Sequence, residues 1–151
     1  MKQIFILAVS AALLMSCKDE VKTTETDKTT VIEHVQTTDE TSDAIALNNG
    51  EKWVVNEEMK PFVLKSEAIL DAYVKNNGTD YKKLAQDIKD QNDLLIKSCT
   101  MEGPSHDELH KWLHPHLELV GKLAETEDAA KAKEMVAELQ TSYQMYHQYF
   151  N

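Results

Sequence analysis

In four successive stretches over the last two thirds of the chain, apolar residues recur at intervals of three and four, the spacing of one helix face. The first stretch carries Phe62, Ile69, Leu70, Tyr73 and Val74 and stops at Asn76-Asn77-Gly78. Its start has two readings: Asn56 caps it with Glu57 and Glu58 in the first turn, or it opens near Lys60 with Pro61 in the first turn. The second begins at Thr79 or Asp80 and holds Tyr81, Leu84, Ala85, Ile88 and Leu95, reaching Cys99 a turn later before Gly103-Pro104 ends it. Gln91 and Asn92 interrupt that stripe, either hydrogen bonding to a neighbouring helix or marking a narrow seam.

Ser105 followed by Glu108 has the form of a capping box, which predicts a third helix from His106 with Leu113, Leu117, Val120 and Ala124 inward. Thr126, or Glu127-Asp128, opens a fourth that turns Ala132, Met135, Val136, Leu139, Tyr143, Tyr146 and Phe150 to the core. Ahead of all four, Asn48-Asn49-Gly50 marks a turn, and Trp53 and Val55 alternate with polar neighbours in a segment lying across the helices. Short loops between helices of this length predict an all-α, antiparallel, up-down-up-down four-helix bundle over residues 47–151. That topology gathers the start of the first helix, the end of the second, the start of the third and the end of the fourth at one pole.

Before the bundle the pattern changes. Met1-Lys2 is basic, and Ile4 to Met15 is an apolar run broken only by Ser10, too short to span a bilayer. The closing Leu14-Met15-Ser16-Cys17 resembles the lipobox of bacterial lipoproteins, although Met15 is bulkier than the usual occupant. The resemblance implies a signal peptide over residues 1–16, a lipid on the Cys17 sulfur as membrane anchor, and a place in the bacterial cell envelope. Lys18-Asp19-Glu20 looks like a short acidic export signal, and both the periplasmic face and the cell surface stay open. Residues 17–46 are mainly Thr, Lys, Asp and Glu, with scattered Val21, Val31, Ile32 and Val35, too few to offset ordering entropy. They predict a disordered tether spanning roughly 30 Å, on which His34 faces solvent.

Charge narrows the partners. A formal net charge of -10, from 26 acids against 16 bases, argues against electrostatic binding of nucleic acid or anionic headgroups.

The candidate chemistry lies in residues 99–116, which hold a thiol, a thioether and four of the six histidines. Stepping back from Leu113 by three and then four residues lands on His110 and His106, which extend the predicted inner face. Two imidazoles a turn apart, with the Cys99 thiolate and the Met101 thioether on the preceding connection, make a soft to borderline ligand set. Such a set favours Cu(I), with Zn(II) second because zinc seldom takes thioether sulfur. With Cys17 lipidated, Cys99 has no disulfide partner, and ligation gives an exported thiol a reason to stay unpaired. His114 shares a face with Asp107, Lys111 and Glu118 and is expected to look outward. His116 falls on the flank with Leu109, Trp112 and Leu123, and Pro115 between the two predicts a kink. His114, His116, His147 and Met59 are possible auxiliary ligands.

The run from Cys99 to Leu113, with its C-x-M-x-G-x-x-H-x-x-L-H spacing, and Leu47-Asn48-Asn49-Gly50 with Lys52-Trp53 resemble a group of small secreted or lipid-anchored helical proteins. The resemblance implies the bundle and brings no activity with it. The expectation is therefore a tethered bundle that binds Cu(I) for buffering, sensing or delivery. The alternatives are a metal-free structural bundle, whose contact surface with a protein partner Trp112 or Pro115 would mark, and non-covalent haem b held by Met59 and His147. An enzyme is not expected, because Cys99 with His106 lacks an oxyanion hole and an enclosing pocket.

Overall fold

In the computed structural model, which describes residues 44–151, the four periodic stretches form α1 (Lys60–Lys75), α2 (Tyr81–Lys97), α3 (Pro104–Glu125) and α4 (Ala129–Tyr149). The signal peptide, the Cys17 lipid site, His34 and nearly all of the tether lie outside the described residues. Each helix packs on its neighbours in the chain and α4 returns to α1, so the four close into a bundle. Among the described residues no helix is long and apolar enough to cross a membrane.

Helix starts follow from local chemistry. Asp80 and Asp128 cap α2 and α4, accepting from the Lys83 N–H at 2.9 Å and from the Ala130 N–H at 2.9 Å. Of the two readings for α1 the later one holds, with Pro61 in its first turn and Met59 before it. Asn56 does not cap α1; its carbonyl accepts from the Met59 N–H at 2.9 Å in the turn ahead of it.

The capping box expected on α3 does not form. Gly103, at a φ of 67° that a side chain resists, turns the chain so that Pro104 opens the helix. Ser105 therefore already lies inside the first turn, and its hydroxyl donates back to the Glu102 carbonyl at 3.4 Å. Pro115 stays on the exposed side, and α3 continues through it without a break in the helix.

The core combines Val63 and Leu70 of α1, Leu84, Ile88 and Leu95 of α2, Leu109, Trp112, Leu113, Val120 and Leu123 of α3, and Val136, Leu139 and Tyr143 of α4. Burying each such aliphatic side chain contributes about 1.5–3 kcal/mol. Among the predicted inward positions, Val74 and Ala124 are exposed, and Leu117, like Phe62, Ile69, Tyr73, Tyr81 and Met135, is half-buried. The inner face of α3 is rotated toward Leu109, Trp112, His116 and Leu123 because the helix packs on α4 as well as α2. Gln91 and Asn92 are both buried, and Gln91 Oε1 and Asn92 Nδ2 have no hydrogen-bond partner.

The chain ahead of α1 is folded onto the bundle. Asn48 and Glu51 exchange backbone hydrogen bonds at 2.9 and 3.0 Å across Asn49 and Gly50, both at positive φ. Trp53 then donates its N–H to the Tyr149 carbonyl at 2.8 Å and accepts from the Asn151 N–H at 3.0 Å. Ile45, placed in the tether by its composition, packs against the core, and Ala46 is held at both backbone atoms. The folded part thus begins earlier than residue 47.

Candidate functional site

The connection between α2 and α3 carries the thiol and the thioether. Helix α2 ends at Lys97 with Ser98 as its C-cap, so Cys99 lies just past the helix; its N–H donates to the Ile96 carbonyl at 3.2 Å. Cys99 is a free, half-buried thiol packed against the core, and Met101 is buried. Thr100 between them bonds to Asn56 and donates to Glu58 Oε1 at 2.7 Å. These contacts join the turn to the approach to α1, and the bond from Thr100 holds the Glu58 carboxyl below its usual range. Two of the segments expected at one pole therefore meet there.

On α3, the rings of His106, His110 and His114 form a continuous ladder. His110 Nε2 is 3.0 Å from His106 Nε2, and His110 Nδ1 is 2.9 Å from His114 Nε2. Ring centroids stand 4.3 and 4.7 Å apart, each pair edge to face. The i, i+4, i+8 spacing creates this contact, since each step of four advances about 40° round the helix. It also grades exposure: His106 and His110 are half-buried and His114 is exposed. Burial, then the neighbouring rings of His106 and His114, push the His110 imidazole below its ordinary value.

Cys99, Met101, His106, His110, His114 and Met59 line one groove of about 480 Å³. The four leading candidates are therefore brought together, with two of the auxiliary ones. His114 looks outward as expected, yet its ring reaches back to His110, a link the outward reading missed. The sequence shows His114 as a third histidine in the same four-residue series, but that spacing does not fix the direction of its ring. Among the described residues, however, no three His, Cys, Asp or Glu side chains already surround a common point in a way that would hold a metal ion.

The other two auxiliary candidates are elsewhere. His116, expected on a flank, is 1 % exposed and faces α4. Its Nδ1 meets Ser142 Oγ at 3.0 Å, its ring stacks on Trp112 with centroids 5.0 Å apart, and its Nε2 has no partner. Burial pushes its pKa down to about 4. His147 pairs with Glu67 of α1 at 2.8 Å and does not line the groove that Met59 enters, so the two proposed haem ligands do not share it. Trp112, expected as a contact surface, is 2 % exposed and donates its indole N–H to the Ser142 carbonyl at 2.8 Å. It is a core residue.

Glu108, released from capping, serves as an anchor. One carboxylate oxygen accepts from the Ala46 N–H at 2.8 Å, and the other pairs with Lys111 at 2.7 Å. Burial raises the Glu108 pKa, but Lys111 and the Ala46 N–H together hold it below the usual value.

Comparison with protein families, with curated proteins and with solved structures gives no match.

Proposed function

We propose that the chain is an envelope lipoprotein, anchored through Cys17, whose bundle binds a soft metal ion, above all Cu(I), for buffering, sensing or delivery. The ligands in this reading are His106 and His110 through Nε2, with Cys99 and Met101 supplying sulfur. The observation that carries it is the 3.0 Å approach of the two Nε2 atoms in a groove shared with both sulfur residues. An ion about 2.0–2.1 Å from each nitrogen in tetrahedral geometry needs a nitrogen separation of about 3.3–3.4 Å. Loading therefore requires the rings to part by a few tenths of an ångström and Cys99 to close on them, since no three His, Cys, Asp or Glu side chains among the described residues already surround one point. Cu(I) suits this set better than Zn(II) because it accepts thioether sulfur.

The test is a Cu(I) titration under reducing conditions against a chromophoric chelator, with Zn(II) in parallel, on the wild type, Cys99→Ser and His106→Ala. The expected result is a tenfold or greater loss of Cu(I) affinity in each variant. Equal weak binding by all three removes the proposal. In its place would stand a metal-free bundle, a reading favoured by the way the three histidines already satisfy one another.

A further inference from the structure

We propose that His114 is a positioning residue for this site, holding His110 in the Nδ1–H tautomer so that the His110 Nε2 lone pair faces His106. The inference rests on the metal reading of the groove but also makes a claim about the protein without metal.

Two proton arrangements satisfy both contacts of the ladder. In one, His106 Nε2–H donates to His110 Nε2 and His110 Nδ1–H donates to His114 Nε2. In the other, every donor and acceptor is reversed. An ion held by Nε2 of both His106 and His110 needs a lone pair on each. His110 then has only Nδ1 for its proton, and the acceptor at 2.9 Å from that atom is His114 Nε2. A ligating imidazole whose second nitrogen donates to a fixed acceptor is both oriented and made more basic.

Exposure is compatible with both arrangements, and the lone pair that an ion needs on His110 Nε2 selects the first. His114 lies at the solvent end of the ladder, where its own Nδ1–H can be hydrated while Nε2 accepts. His106, at the other end, exchanges its proton from Nε2 to Nδ1 through water when the ion enters, so no ring need change its charge. An isolated neutral histidine prefers the Nε2–H form, and the inference therefore predicts an unusual tautomer at His110.

The experiment uses the chain labelled with 15N at histidine, with His114→Ala and His114→Gln, the glutamine amide oxygen replacing the lost acceptor. At alkaline pH without metal, His110 Nδ1 should resonate as the protonated nitrogen in the wild type and in His114→Gln. In His114→Ala the proton should return to Nε2. Cu(I) affinity should fall about 10–100-fold in His114→Ala and be largely recovered in His114→Gln. Either an unchanged tautomer in His114→Ala, or loss of one nitrogen neighbour of copper by X-ray absorption in both variants, overturns the inference. The second result would make His114 a ligand. If the wild type binds no Cu(I), the metal reading falls, while the tautomer measured without metal still decides whether His114 governs His110.

Discussion

Trp53 and Phe150 pair as a parallel bridge, which joins the segment ahead of α1 to the residue that follows α4. Phe150 is 1 % exposed and stacks on Tyr146 with centroids 5.4 Å apart, so the bridge is sealed by an aromatic plug. Phe150→Ala should lower unfolding stability by about 3–5 kcal/mol, as a large buried ring is lost. Urea denaturation followed by circular dichroism checks this, and a change below 1 kcal/mol would mean the plug contributes little.

The α1–α4 contact contains a buried polar pair, Ser66 Oγ with Tyr143 OH. Burial pushes the Tyr143 phenol up, so it stays neutral there. Tyr143→Phe should cost about 1–3 kcal/mol because Ser66 is left unpaired. Adding Ser66→Ala should recover part of the loss, and a double-mutant cycle reads the coupling. Strict additivity would show that the two hydroxyls do not depend on each other.

His116 makes stability depend on pH in a defined window. Its folded pKa of about 4 lies below the ordinary histidine value, so the unfolded chain binds the proton first as pH falls. Its contribution to stability is complete above pH ~6.5 and is lost as pH drops through about 4, by up to about 3 kcal/mol in total. Urea midpoints measured at pH 8, 6, 5 and 4 should show this decline in the wild type and a shallower one in His116→Met. Parallel declines in the two proteins would assign the acid sensitivity to other groups.

Glu108 holds the incoming chain through Ala46, while its partner Lys111 reaches the Ala44 carbonyl at 3.3 Å. Glu108→Ala should free that segment with a stability loss of only about 1 kcal/mol. Limited proteolysis should then cut near residue 46 at least several times faster, while the helices stay protected. An unchanged cleavage rate would mean the packing of Ile45 suffices without the carboxylate.

The helices were legible because each has a repeating apolar stripe and a start or stop signal that acts locally. What escaped was set by partners far away in the chain. Ser105 and Glu108 match a capping box, but Gly103-Pro104 starts α3 earlier, and Glu108 is then taken by Ala46. His116 looked peripheral when α3 was aligned on Leu113 and Leu117; contact with α4 turns its side inward. Ile45 carries too weak a local signal to be separated from the polar residues before it. At the candidate site, the series of His106 and His110 was visible and the reach of His114 back to His110 was not. That reach depends on side-chain rotation, which spacing does not specify.

The flat stacking of the Trp112 indole on the His116 imidazole supplies an internal optical gauge. A protonated imidazole quenches indole emission by accepting an electron from the excited state, and a neutral one does so far less. Dimming of the Trp112 signal on acidification, with Trp53→Phe removing the other emitter, therefore reports charging of one ring inside the core without any added label.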